Sequence, residues 1–413
     1  MTAEGGTVRG VHSRWLWTGA IVWGVAFVAV AARLALSGGR NDLFPTYQQA
    51  GITWVHGQAL YQTHQGFIYT PPVAAFFALL AWVPSHAGAA LWRLLNVTAF
   101  LAAALWWFRR YAPDPSADCQ GIFLLLLFPI SLGNLNNGQV NPLMAALLIG
   151  AVLLASARRW AFSAACITIA TYFKIYPLAV GLLLAVIYPR TLAWRLLLAL
   201  IAVGLLSFAS QHPAYVAEQY GRWFESRRTD PRRYNIDMAP RDLWMLARAL
   251  QVPLSESFYS VIQIGSAAAL ALLCAWGRRR GWPEARLAHA VLLLGCSWML
   301  LLGPSTESAT YVLLGPLLVY ALFAARQHPF WIRTAVLMSY GVLLIGLVLN
   351  SFLHLKKNVY LKSVQPLGAL CFVVYASAWI FSRSRWAEDS GHGDGVHAAI
   401  TADRGDHGGT RGG

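Results

Sequence analysis

Runs of about 14 to 22 apolar residues recur from Trp15 to Phe381, broken by short loops in which most of the arginines gather. A segment of that length in lipid must satisfy every backbone group from within, so each run is predicted to be a helix. The remaining sequence offers no escape to a soluble fold. With 57% hydrophobic residues and 12% charged ones, there is too little polar surface to cover a water-facing globule. The chain reads as an all-α polytopic membrane protein. Its formal charge of +15 therefore serves orientation and contact with anionic headgroups, and nucleic acid is not an expected partner. The five cysteines lie in or beside apolar runs without CxxC spacing and read as small buried hydrophobes.

The arginine pairs 109/110, 158/159, 190/195 and 383/385, with the triplet 278–280, belong on one side under the positive-inside rule. That requires an odd number of crossings between Asp42 and Arg109. The run from about Ala87 to Phe108 supplies one, so residues 71–84, fenced by prolines, are expected to lie at the outer interface as an amphipathic helix. Counting from Trp15–Leu36 predicts about twelve spans, both termini cytoplasmic, and polar outer loops at 37–86 and 210–256. Several middle segments are short, about 14 residues, as happens where a bundle opens to a ligand. A bundle domain over 1–382 and a disordered cytoplasmic tail over 383–413 complete the expected organisation.

Polar residues cluster at four places on the predicted outer face. Asp42, in RNDLFP, suits a general base toward a sugar hydroxyl, or in the plainer reading an ordinary helix cap before Pro45. GNLNNGQVN, residues 133–141, carries Asn137, Gln139 and Asn141 among its amides, matched to hydroxyl-rich substrates or to an interfacial turn. Lys174 in YFKIYP is an ammonium between two apolar half-length segments, suited to a phosphate oxygen or to snorkelling. The loop 219–244 interleaves arginines and aromatics, but acids are interspersed and a solvated, salt-bridged surface accounts for most of it. Further on, Glu307 and Tyr311 stand at an outer helix start, where a carboxylate contacts an acceptor or, more simply, caps the helix.

In their order and spacing, Asp42, Tyr47 with Ala50-Gly51, Gly57 with Leu60-Tyr61, FIYTPP from Phe67 to Pro72, Gly138-Gln139-Val140-Asn141 and Lys174-Ile175-Tyr176-Pro177 resemble glycosyltransferase family 87 of the GT-C superfamily. These are polyprenyl-phosphate-mannose-dependent mannosyltransferases. The resemblance implies a GT-C-type bundle with juxtamembrane helices and a catalytic Asp in the first outer loop. It implies a polyprenyl-phosphate sugar donor, an extracytoplasmic glycan or glycolipid acceptor, membrane lipids as surroundings, and a place in the plasma (inner) membrane. Asp42 would take the acceptor proton, and Lys174 with Arg222 and Arg228 would hold the donor phosphate. Tyr47, Tyr69, Asn137, Gln139, Asn141, Tyr176, Glu307 and Tyr311 would line the substrates. Many relatives have a histidine near the start of a late outer helix, where this chain has Glu307, Ser308 and Tyr311.

No Rossmann pattern or DXD-style motif is visible, which argues against a nucleotide-sugar donor, and a lone Asp42 argues against a metal cage; no cofactor is expected. A transporter or flippase of lipid-linked glycans is the competing class. It predicts an inverted repeat, and none stands out. A scaffold subunit of a cell-envelope complex is a third reading.

Overall fold

The computed structural model describes residues 13–37, 42–62, 66–229, 238–303, 306–352 and 358–382. The expected tail over 383–413 lies outside them. Among the described residues the chain is helical and forms no strand. In order these helices are α1 (Arg14–Ser37), α2 (Phe44–Val55), α3 (Pro71–Ala78), α4 (Ser85–Tyr111), α5 (Ala117–Asn137), α6 (Asn141–Ser156), α7 (Trp160–Phe173) and α8 (Leu178–Ile187). They continue as α9 (Pro189–Ala209), α10 (Pro213–Arg228), α11 (Leu243–Ala249), α12 (Glu256–Arg279), α13 (Glu284–Leu302), α14 (Ser308–Ala324), α15 (Phe330–Phe352) and α16 (Val359–Phe381).

Eight of these, α1, α4, α5, α9, α12, α13, α15 and α16, are long and apolar enough to cross a membrane. The other four expected spans form as α6, α7, α8 and α14, of 10–17 residues. At 1.5 Å per residue none of the four covers a hydrocarbon core of about 30 Å as one continuous α-helix. Burial explains how α6 is tolerated. Asn141, Met144, Leu148, Val152 and most of its other residues are enclosed by protein, where an interrupted backbone need not face lipid.

Between α1 and α4 the chain folds into two short helices. Pro71 and Pro72 start α3, which at eight residues is too short to span; Leu79–Val83 then tighten into turns bonded three residues back, so the helix expected over 71–84 stops at Ala78. Its partner α2 turns Phe44, Tyr47, Ala50, Gly51 and Trp54 inward. Gln48 Nε2 donates to the carbonyls of Leu80 (3.1 Å) and Val83 (2.6 Å), fastening the turns to α2. A Cβ at Gly51 would stand 2.4 Å from the Phe77 carbonyl oxygen, so the two helices meet backbone to backbone. Gly51→Ala is expected to cost about 1–3 kcal/mol as an overpacked contact, read as a lowered unfolding midpoint in detergent. An unchanged midpoint would mean that α3 yields without penalty.

The expected loop 210–256 also contains helix. Gln219 of α10 accepts from the Leu60 N–H (3.0 Å), Tyr215 donates to the Gln58 carbonyl (2.7 Å) and Trp223 to that of Ile68 (3.3 Å). This helix is therefore bonded to Gln58, Leu60 and Ile68 of the first polar interval.

Candidate functional site

The C-terminus of α5 is the fixed point of the site. Helix α5 ends at Gly138, whose left-handed backbone (φ 63°, ψ 32°) directs its N–H to the Asn134 carbonyl. The next four carbonyls have no intrahelical donor, and each finds a partner elsewhere. Arg93 of α4 gives Nε to Leu135 O (2.8 Å) and Nη2 to Asn136 O (2.9 Å). Arg33 of α1 also reaches Asn136 O (3.3 Å). The Leu43 N–H takes Asn137 O (3.0 Å), and Trp92 Nε1 takes Gly138 O (2.9 Å). Two guanidinium groups thus face the negative end of a helix dipole.

Docking of Leu43 places the neighbouring Asp42. Its Oδ1 accepts from Arg93 Nη2 (2.8 Å) and from the Phe44 N–H (3.0 Å), while Oδ2 takes no donor among the described residues. The side chains of Arg93 and Asp42 are only 1% and 4% exposed, making a buried ion pair. Gly138 closes against it. A Cβ there would lie 3.0 Å from Asp42 Oδ1 and 3.1 Å from the Arg93 guanidinium, so this position needs glycine for space as well as for φ. The carboxylate does cap the first turn of α2, and its second oxygen remains for other work.

The other flank of the same junction holds Lys174. The residue terminates α7 in an extended conformation and sends Nζ to Asn141 Oδ1 (2.9 Å). Asn141 Nδ2 donates to Asn134 Oδ1 (3.2 Å), and Asn134 Nδ2 to the Ala309 carbonyl (3.0 Å). Asn96 Oδ1 accepts the Leu143 N–H (3.3 Å), and a small crevice there is lined by Arg93, Asn96, Asn134, Gly138 and Gln139. Asn137 Oδ1 is held by Asn136 Nδ2 (3.1 Å).

Aromatic residues join the two flanks. Tyr47 and Tyr69 share a hydrogen bond between their hydroxyls (3.0 Å), and Tyr69, Phe76, Phe77 and Trp92 pack around Phe173, the residue before Lys174. Thr70 Oγ1 donates to the Tyr172 carbonyl (2.6 Å), which docks the start of α3 on the end of α7. Burial pushes the Tyr47 phenol well above its ordinary range, with Tyr69 and then Glu307 adding to the rise. Tyr176 is raised likewise, by burial first and the Glu307 carboxylate second. Tyr47 acts as a hydrogen-bonding group toward Tyr69. The bond from Asn134 to the Ala309 carbonyl brings Glu307, two residues earlier, toward the same junction.

Glu307 also heads α14 in a capping box with Thr310, whose hydroxyl accepts the Glu307 N–H (3.2 Å). Tyr311 is buried, and its hydroxyl donates to the Arg241 carbonyl (2.7 Å). Arg241 in turn donates its N–H to Thr306 O and Nη1 to Gln365 Oε1 (2.9 Å). Arg222 and Arg228 stand apart from these residues. Arg222 pairs with Glu218 on an exposed face of α10, both side chains about half exposed, and Arg228 is exposed at the end of that helix.

Asp42, Tyr47, Tyr69, Asn137, Gln139, Asn141, Lys174, Tyr176 and Glu307 are thus gathered around the α5–α6 junction. Arg93, Asn96, Asn134 and Arg241 complete the surroundings; Asn134 belongs to the 133–141 amides and Arg241 to the arginine-bearing loop, whereas Arg93 and Asn96 are not singled out by the sequence pattern. For Arg93 a signal existed: an arginine inside an apolar span requires a counter-charge. The family model for glycosyltransferase family 87 matches residues 67–304, a range that includes Arg93, Asn134–Asn141 and Lys174 and begins after Asp42. No curated protein matches the chain.

Proposed function

Starting from the fact that this chain belongs to glycosyltransferase family 87, we propose that it transfers a hexose, mannose in the first instance, from a polyprenyl-phosphate donor to an extracytoplasmic glycan or glycolipid. The observation that carries the chemistry is the seating of Asp42. Its Oδ1 is fixed by Arg93 and the Phe44 N–H, which leaves Oδ2 to receive a proton. The acceptor hydroxyl gives its proton to Oδ2 as its oxygen bonds to the anomeric carbon. The bond from that carbon to the phosphate oxygen breaks with its electron pair, and polyprenyl phosphate departs from the opposite face, so configuration inverts. Lys174, with Asn141 holding its ammonium, supplies positive charge to the departing phosphate. Amides of Asn137, Gln139 and Asn141 offer paired donors and acceptors to sugar hydroxyls. Tyr47, Tyr69 and Tyr176 supply the aromatic surround, and Glu307 and Tyr311 border the acceptor side.

Membership of a transferase family favours this reading over transport. The arginine bias of the loops supports a plasma-membrane protein with the site outside and both termini in the cytoplasm. The test of the donor is direct. Purified protein with a mixed lipid-glycan acceptor pool should yield labelled product from polyprenyl-phosphate mannose and none from a nucleotide-linked mannose. Product from the nucleotide donor alone would end the polyprenyl reading. Arg222 is expected to matter little, since an exposed pair is worth at most about 1 kcal/mol. Arg222→Ala should keep the transfer rate within about threefold of wild type, and a larger loss would bring α10 into the donor site.

A further inference from the structure

We infer that Arg93 is the positioning residue for Asp42: its guanidinium, anchored on the end of α5, fixes Oδ1 and so aims Oδ2 at the acceptor hydroxyl. This rests on the reading of Asp42 as the base.

Four donor contacts of Arg93 are accounted for, to Ala89 O (3.1 Å), Leu135 O, Asn136 O and Asp42 Oδ1, on three different stretches of chain. A side chain fastened this way cannot swing toward a phosphate, which sets it apart from Lys174, whose ammonium is held by an amide. It also cannot be satisfied by the helix end alone. Carbonyls supply partial charge, and the one formal counter-charge in contact with Arg93 among the described residues is Asp42. Conversely, Asp42 at the mouth of α2 has the Phe44 N–H as its other donor, and that bond lies on its own backbone two residues away. Among the described residues, Arg93 is therefore the side chain that references the carboxylate group itself to the membrane bundle, beside the backbone docking of Leu43 on the Asn137 carbonyl. Gly138 fits the same purpose. Its missing Cβ leaves room for the pair, and its left-handed turn carries the chain from the carbonyls that hold Arg93 into the segment whose Asn141 holds Lys174. Arg33 touches Asn136 O beside the pair and is the neighbouring cation contributed by α1.

The experiment compares wild type with Arg93→Gln and Arg93→Lys in the transfer assay, recording kcat, the donor KM and the single-turnover rate constant. In Arg93→Gln, kcat is expected to fall about 10- to 100-fold, as for a displaced catalytic group, while the donor KM stays within about twofold, because no donor contact is removed. The single-turnover rate constant, measured with enzyme saturating over donor, should fall by the same factor. Arg93→Lys should restore only part of kcat, as an ammonium keeps the charge but not the fork. A wild-type kcat in Arg93→Gln overturns the inference, and so does a reduced kcat beside a wild-type single-turnover rate constant, which is the signature of a smaller active fraction. If Arg93→Gln does not fold, Arg93→Lys decides: undiminished kcat overturns the proposal. Failure of the base reading itself appears elsewhere, as transfer persisting in Asp42→Asn.

Discussion

Asp42→Asn is expected to lower transfer by about 10²- to 10⁴-fold, the range for loss of a general base. Two effects meet in this variant and must be separated. The amide no longer takes a proton, and it also leaves the Arg93 guanidinium buried without a formal counter-charge. Breaking a buried pair from one side costs about 3–5 kcal/mol, less where an isosteric amide keeps the hydrogen bonds. Inactivity could then reflect either lost chemistry or a loosened bundle. Pairing the change with Arg93→Gln resolves this. In the double variant both charges are gone, and the unfolding midpoint should recover much of what Asp42→Asn loses. Transfer should stay at the floor. Activity returning with stability would make Asp42 a structural counter-ion and move the base elsewhere.

Lys174→Met should reduce kcat by about 10²- to 10³-fold, comparable to removing one preorganised group from a developing anion. The reasoning is again positional. Lys174 sits where α7 gives way to an extended residue, and its Nζ donates to Asn141 Oδ1 at 2.9 Å. The ammonium stands at the same polar junction whose Gly138 lies against Asp42. A thioether of similar length keeps the packing and deletes the charge. The donor phosphate is charged before and after reaction, so KM should rise as well, and single-turnover rates separate the two contributions. If Lys174→Met changed KM alone, the residue would bind the donor without aiding departure of the phosphate.

Much of this arrangement is legible in the sequence because polar residues inside an apolar chain are few and expensive. Asp42, the 133–141 amides and Lys174 each interrupt a long hydrophobic pattern, and each arrives at the same junction. Helical segments follow the apolar runs closely for the same reason. Arg93 escaped because its partner lies 51 residues earlier, and pairing at that distance is decided by how helices dock. Asn134 belongs to the last turn of α5, where it bonds the Ala309 carbonyl 175 residues away, a contact that no local pattern contains. Lengths were read less well than positions. Proline and glycine mark where α6 and α14 begin, but whether a short helix crosses depends on the protein around it. The loop over 210–256 conceals α10, whose polar composition gives no membrane signal and whose place is set by bonds to Gln58, Leu60 and Ile68.

The anchoring of Arg93 has a consequence for biogenesis. When α4 leaves the insertion machinery, Arg93 lies about 12 Å along the helix from Ser85, at 1.5 Å per residue, and two of its four acceptors have not yet been synthesised. Leu135 and Asn136 follow some 42 residues later. Until then the guanidinium must stay hydrated at the bilayer edge or rest against Asp42 and the Ala89 carbonyl. The nascent chain is therefore expected to pass through a stage at which α4 is held shallow and to settle to full depth only as α5 completes, so that maturation of the carboxylate's seat and final insertion of the helix pair would be one event. A ribosome-bound chain ending before Leu135 should leave a cysteine at Ala89 accessible to aqueous reagents, and a chain extended past Gly138 should protect it.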